Sequence, residues 1–274
     1  MRLSQVLYRA ASFAMHRLTA WNTRGEGVHS PYLFYIVRML LYDTNSYYAW
    51  KSIEQQRNAM LHTSKLVHTN DYGTGCSGEK KVQDIARTSL CSMREGQIYF
   101  RLVNFLSQQY NNKHSNEPLT ILELGTSLGI STAYLAMPDA RNQVITMDGS
   151  HDIIEVAKQN WQQLGIENVT CVEANIDDSL ADTLINIAHA HVSLALIDAN
   201  HTREATLHYF DQIAKYVRDD SIVIMDDIHH SREMNEAWQQ IKHRDDVTAT
   251  MDLYDCGVIF FDHHYLKKHY KLRL

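Results

Sequence analysis

LTILELGTSLGISTAYLA, residues 119–136, runs from a β-rich apolar stretch through a glycine-bearing bend into a helical period. Residues 119–124 read as a strand. Gly125 and Gly129 let the backbone turn sharply and approach a ligand, and the helix that follows offers unsatisfied N–H groups to an anion. Downstream, short β-rich runs at 144–148, 168–173, 192–198 and 221–226 alternate with helix-length segments. The segment after Asp148 carries the helical period at Ile153, Ile154, Ala157, Trp161 and Leu164, with Gly165 as its stop. Strands spaced by helices of this length imply right-handed crossovers and a parallel sheet covered on both faces. The runs at 247–254 and 257–261 are separated only by Asp255 and Cys256. That link permits a hairpin but no crossover, so the last strand runs antiparallel. The spacing predicts an α/β fold: a doubly wound, seven-stranded, mostly parallel sheet with a last antiparallel strand.

Upstream, residues 1–110 read as mostly helical. Leu3, Val6, Leu7, Ala10, Phe13, Ala14, Arg17 and Leu18 fall near helical spacing, and 32–42 continues as helix after Pro31. Residues 47–66 and 95–110 are further helix candidates, with the polar stretch 68–81 between them read as a loop. A polar stretch ending at Pro118 sets the expected boundary, giving a helical N-terminal region at 1–117 and an α/β domain at 118–274.

Composition excludes several classes. Of 274 residues, 45% are hydrophobic, with 11 Gly and 3 Pro, which argues against disorder, collagen-like repeats and a turn-dense all-β fold. No uncharged apolar run reaches the roughly 18 residues a membrane span needs; the best, 33–42, is interrupted by Arg38. No secretory signal is read, and four scattered cysteines without metal spacing read as reduced thiols, so a cytoplasmic location is expected. Net charge is −6 but uneven: +3 over residues 1–50, +4 over the last twelve, −13 between them. The acidic body argues against a general nucleic-acid partner. The two basic ends could touch RNA or an anionic membrane surface, and solvated helix faces are the simpler reading.

Three chemistries compete at the bend. A dinucleotide fingerprint fails, because positions 127 and 130 are Ser and Ile where it wants Gly. The glycines at 73, 75 and 78 give a second partial match, but no strand precedes them. Gly125-Thr126-Ser127-Leu128-Gly129 also matches a nucleophile elbow, with Asp198 and several histidines downstream, which would make Ser127 the nucleophile of an α/β-hydrolase-type esterase. Only one strand precedes it, however, and no glycine-rich oxyanion segment lies upstream.

The third reading accounts for more. An acid, then Gly, then Gly four positions later resembles the first motif of class I S-adenosylmethionine-dependent methyltransferases. ILELGTSLGISTAYLA is similar to the catechol and caffeoyl-CoA type of small-molecule O-methyltransferase, in which a non-Gly residue fills the middle position, as Ser127 does here. The resemblance covers roughly residues 119–261, and GEGVHSPYLFYIV resembles the helical N-terminal region of uncharacterised bacterial methyltransferases. It implies S-adenosyl-L-methionine as cofactor and a hydroxyl-bearing small molecule as acceptor. Glu123 would face the methionine portion. Gly125, Thr126, Ser127 and Gly129 would line it, and Ser131 would hold its carboxylate. Asp148, with Gly149 beside it, would take the ribose hydroxyls, because a carboxylate accepts two O–H donors. Asn175 and Ile176 would line the adenine, with Asp177 at its amine.

The same resemblance places Asp198, Asp226 and Asp227 as ligands of Mg²⁺ or another divalent cation, with Asp198 also beside the cofactor. The family's third ligand is usually Asn, and here it is Asp227. Three clustered carboxylates repel, so this site holds a cation, raises one pKa, or turns Asp227 away to cap the next helix. Three positions after Asp198 the catechol-type enzymes carry a Lys that takes the acceptor's proton. His201 stands there instead, and a histidine can do that work near neutral pH. His229 and His230 adjoin the acidic pair. The aromatic N-terminal helices would shape the acceptor pocket or form a homodimer contact, and 73–78 would be a mobile lid. Two rivals stand beside this reading: the esterase, and a catalytically silent cofactor-binding module.

Overall fold

The computed structural model describes residues 3–43, 45–69, 78–113, 117–187, 191–264 and 266–273. The lid expected at 73–78 thus lies, but for Gly78, outside the described residues. In chain order the helices are α1 (Leu3–Thr19), α2 (Pro31–Tyr42), α3 (Tyr48–Leu61), α4 (Val82–Ser89), α5 (Met93–Lys113), α6 (Ile130–Ala136), α7 (His151–Leu164), α8 (Ile176–Asn186), α9 (Arg203–Ile213) and α10 (Arg232–Lys242). The strands are β1 (Leu66–Thr69), β2 (Gly78–Lys81), β3 (Thr120–Leu124), β4 (Gln143–Asp148), β5 (Val169–Glu173), β6 (Leu194–Ile197), β7 (Ile222–Asp226), β8 (Ala249–Asp252), β9 (Cys256–Phe260) and β10 (Lys268–Lys271). Contacts group the chain into two compact units, 45–190 and the pair of segments 1–44 and 191–274.

The main sheet has eight strands, mostly parallel, with helices between them. Within 45–190 its order is β3-β4-β5, all parallel, with Thr120 opposite Gln143 and Val144 opposite Val169. Every residue of β3 is buried, as a strand covered on both faces requires. In the other unit the order is β10-β8-β9-β7-β6. There β9 is antiparallel to both β7 and β8, as the short link at 253–255 demanded.

Two expectations need correction. The sheet has an eighth strand, β10, in a tail that read only as basic: Lys-His-Tyr-Lys buries Tyr270 alone, and such an edge strand carries no apolar run. The stretch 68–81, read as a loop, holds parts of a β1–β2 hairpin. Its strands are largely exposed and so lack a core signature.

Helices take their places through specific contacts. In the 45–190 unit the Tyr134 hydroxyl on α6 donates to Glu54 on α3 (2.7 Å), and Arg57 holds the same carboxylate (2.9 Å). A Cβ at Gly96 of α5 would overlap the Tyr134 ring, so only glycine lets α5 approach α6. In the other unit Gly257 of β9 plays the same part beneath Trp238 of α10.

The first helix departs from the usual rule that an amphipathic helix turns its apolar side inward. Leu7, Ala11, Ala14 and Leu18, spaced on one side of α1, are all exposed. The opposite side is polar and makes the contacts: Gln5 meets His230, Ser12 meets His229, and His16 meets Asp252.

Gly129 joins backbone and packing constraints. Its φ is +80°, and an added Cβ would lie 2.5 Å from Trp161 Nε1 and 2.9 Å from the Ala157 Cβ of α7. Gly129→Ala is expected to lower unfolding free energy by roughly 2–4 kcal/mol, since left-handed strain and overpacking add. Denaturant unfolding checks this, and an unchanged midpoint would contradict the packing described.

Candidate functional site

The chain leaves β3 through a tight double bend. Gly125 (φ +100°), Ser127 (φ +46°) and Gly129 all take left-handed backbone. The N–H groups of Gly125 and Thr126 donate to the Met147 carbonyl of β4 (3.0 and 3.3 Å). Ser127 N–H donates to Asp148 Oδ2 and Ser150 N–H to Asp148 Oδ1, each at 3.0 Å. One carboxylate at the tip of β4 therefore fixes the bends after β3 and after β4 together. Sequence reasoning gave Asp148 as a ribose acid or a turn acid. In this structure its two oxygens hold the two turns.

Beneath the bend lies Glu123, wholly buried on β3. Its Oε2 accepts from the Thr132 and Thr146 hydroxyls (2.5 and 2.6 Å), and Thr126 and Thr146 share a further bond (2.6 Å). Among the described residues no group in hydrogen-bond geometry reaches Oε1. Burial pushes this carboxyl up to about 7 against the pull of the Ser131, Thr132 and Thr146 hydroxyls. Ser131 is itself buried on α6. At the end of β5 the Ala174 N–H bonds the Asp148 carbonyl (3.0 Å), while Asn175 caps α8 through the Asp177 N–H (3.2 Å). Gly149 and Ile176 are half-buried, and Asp177 is exposed.

A second constellation belongs to the other unit, at the carboxyl ends of β6 and β7. Asn200 (φ +61°), His201 (φ +30°) and Asp227 (φ +56°) are three non-glycine residues in left-handed backbone, a costly conformation that concentrates at functional sites. His201 stands between two acids, Nε2 3.6 Å from Asp198 and Nδ1 3.7 Å from Asp227. His230 adds a third group, 3.4 Å from Asp227, its ring stacked on that of His201. Burial lowers the His201 pKa, Asp227 opposes the shift, and His230 reinforces it. Burial alone would raise the Asp227 carboxyl, but the His230 hydrogen bond and the charges of His201, His230 and Arg9 bring it below its ordinary value. Thr202 caps α9 and Ser231 caps α10, so Asp227 faces histidines and is not a helix cap.

The expected cation shell does not assemble. Among the described residues, the one group of acids and histidines with ligand atoms mutually within 4.8 Å is Asp219, Asp262 and His264, on the exposed side of the 1–44/191–274 unit. Asp198, Asp226 and Asp227 are not brought into one shell, and His201 lies between the first and the last. The Ser127 hydroxyl likewise makes no bond to a histidine among the described residues, which leaves the esterase arrangement without its base.

Sequence reasoning missed one polar centre in this unit. Asp252 on β8 is 3% exposed, with His16 Nε2 and His229 Nε2 both 3.1 Å from its carboxylate. Asn235 and Ser12 reach His229 Nδ1, and Tyr254 stacks on the His229 ring. Burial works to raise the Asp252 carboxyl, but the two histidines hold it far below the usual carboxylate range. Ser12 and His16 lie more than two hundred positions from His229 and Asp252, so spacing held no signal for their meeting.

Comparison with known proteins bears on this geometry. Residues 122–228 match a family model described as a methyltransferase domain. Among solved structures, an O-methyltransferase from Bacillus cereus in complex with SAH is 16% identical, covering 80% of this chain and 93% of its own, with a TM-score of 0.55. The O-methyltransferase TomG from Streptomyces achromogenes, in complex with SAM, is 14% identical and covers 95% of this chain and 99% of its own at the same TM-score of 0.55. The SAH-bound methyltransferase PaMTH1 from Podospora anserina is 13% identical over 86% and 96%, again at 0.55. These likenesses establish a methyltransferase fold. No curated protein matches the sequence.

Glu123 makes the stability of the fold depend on pH. The folded state keeps its proton up to about pH 7, whereas an unfolded chain releases it near 4.5. Between those values the unfolded state binds fewer protons, so the stabilisation present at low pH is lost as pH rises. Glu123→Gln should therefore gain on the parent by up to about 3 kcal/mol between pH 4.5 and 7, and no further above it. Paired denaturation curves across this range give the difference, and a pH-independent gap would refute the assignment.

Proposed function

We propose that this chain is an S-adenosylmethionine-dependent methyltransferase that acts on the hydroxyl of a small molecule. The unit 45–190 would hold the cofactor. Its residues suit one: the buried Glu123 Oε1 has no hydrogen-bond partner among the described residues, Gly125 leaves the first bend without a side chain, and Asp148 closes β4 with a carboxylate suited to ribose hydroxyls. A positive ammonium near Glu123 would favour the carboxylate that burial disfavours. When bound, S-adenosylmethionine supplies an electrophilic methyl group on sulfur.

The ends of β6 and β7 would serve the acceptor. The observation that carries the oxygen-acceptor reading is His201, kept neutral by burial and flanked by Asp198 and Asp227. A neutral imidazole can take the hydroxyl proton as the oxygen attacks, and the adjacent carboxylates then stabilise the imidazolium. Because the three aspartates do not form one shell, no step is assigned to a metal. The free thiols of Cys91, Cys171 and Cys256 fit a cytoplasmic location.

Two measurements test the reading. Calorimetric titration with S-adenosylhomocysteine should show binding, and Asp148→Ala should weaken it about 10- to 100-fold, the worth of one or two hydrogen bonds. Absence of heat with the parent protein would remove the cofactor assignment. Screening hydroxylated acceptors with methyl-labelled cofactor should then give turnover that His201→Ala lowers about 10²- to 10⁴-fold. The parent's rate should rise through a pKa below 6.5 and stay level at neutral pH, since only neutral His201 accepts the proton. Full turnover in the variant would eliminate His201 as base.

A further inference from the structure

The reversed amphipathicity of α1 calls for an explanation that the methyl-transfer reading does not supply. Leu7 is 61% exposed, Met15 60% and Leu18 80%, and Ala11 and Ala14 complete the same side. The helix is not held by this side at all. Its inward side is fastened by Gln5, Ser12 and His16, and the Arg9 carbonyl accepts from the Tyr254 hydroxyl (2.9 Å). An apolar stripe fixed outward by a buried polar network is costly to a chain that stays in water, and such stripes mark interaction surfaces.

Charge indicates what covers it. The described part of α1 and the turn after it contain no acid before Glu26, while Arg17 and Arg24 are exposed. The basic C-terminal segment comes to the same place. Lys271 Nζ donates to Thr19 Oγ1 (3.2 Å), the Lys271 N–H to Asn22 Oδ1 (3.0 Å) and the Arg273 N–H to Thr23 Oγ1 (2.9 Å). Two basic ends far apart in sequence thus form one fringe beside the C-terminal turn of α1. Exposed Trp21 packs on Gly27, whose carbonyl accepts from Lys268 Nζ (2.9 Å), which puts an indole and an ammonium side by side. Glu236, the acid facing Tyr8, is already paired with Arg203 at 3.0 Å.

We propose that α1 lies on an anionic lipid surface, with Leu7, Ala11, Ala14 and Leu18 in the acyl boundary and the Arg17/Arg24/Lys271/Arg273 fringe on the headgroups. A helix with an apolar side, a cationic border and an interfacial Trp has the composition of an in-plane membrane helix. No helix among the described residues is long and apolar enough to cross a membrane, so the contact is with the surface. A second copy of the chain fits less well. A twofold contact would lay this side of α1 against itself, and the described part of α1 carries no acid to pair with the cationic fringe.

Cosedimentation of the full chain with phosphatidylcholine vesicles, with and without phosphatidylglycerol, decides the matter. The chain should pellet with the anionic vesicles, release as salt rises, and show a blue shift of tryptophan emission. Leu18→Glu and, separately, Leu7→Glu should weaken pelleting at least tenfold. Both side chains touch mainly solvent, so unchanged far-ultraviolet circular dichroism should accompany the loss. Equal binding to neutral vesicles, no vesicle binding, or a dimer that Leu18→Glu dissociates would each overturn the proposal.

Discussion

A strand buried on both faces has to end its ladder and reverse within a few residues, and this constraint governs everything functional in the chain. Buried β3, β6 and β7 admit few polar side chains along their length, Thr120 and Glu123 of β3 being the exceptions, so most polar groups gather where these strands stop. Stopping abruptly forces left-handed backbone: at Gly125, Ser127 and Gly129 after β3, at Asn200 and His201 after β6, and at Asp227 after β7. Glycine accepts this freely. Serine, asparagine, histidine and aspartate do so at a cost, and Ser127, His201 and Asp227 each have a charged or hydrogen-bonding partner there. Ser127 is held by Asp148, and His201 and Asp227 lie within ion-pair reach of each other. The bends are therefore built to a fixed shape before any ligand arrives, which is the preorganisation that catalytic geometry requires.

Buried β3, β6, β7 and β9 were legible because burial writes itself into sequence as mainly apolar runs bounded by turns, and the half-exposed β5 was legible from its β-rich run between helix-length segments. The reversal of β9 was legible from link length alone. β10 and the β1–β2 hairpin were not, since an edge or exposed ribbon can be built from Lys, His and Tyr without breaking any rule of composition. The candidate site divides in the same way. Asp148 and Asp198 could be placed by their position at strand ends. That Asp148 spends one acceptor site of each oxygen on backbone N–H groups could not be placed, because it depends on the φ of Ser127, three-dimensional information with no residue signature.

The Asp252 centre shows why histidine counting failed. With 16 histidines in the chain, adjacency to Asp227 drew notice to both His229 and His230. Only His230 lies beside Asp227; His229 turns to Asp252 and joins His16 there. Consecutive residues leaving a strand end point in different directions, so nearness in sequence misassigned one of the pair. A doubly bonded buried carboxylate of this kind is more useful for fixing one arrangement than for net stability, because desolvation cancels much of the attraction. What it fixes is the orientation of α1, and with it the outward aspect of the helix's apolar side.

In the proposed reaction the acceptor chemistry turns on His201, which stands where the enzymes it resembles carry lysine. A lysine acting as base must be brought down from about 10.4, which needs strong desolvation or neighbouring cations. A histidine begins near the working pH, and burial has only to offset the two acids beside it. Those acids would hold a lysine charged and thus useless as a base. Beside histidine they do the opposite service, steadying the imidazolium once the proton has moved. Two carboxylates within ion-pair reach of the base therefore suit histidine and penalise lysine. The same reasoning fits Asp227 standing where an uncharged asparagine is usual in the enzymes it resembles: its carboxylate lies within ion-pair reach of the His201 and His230 rings.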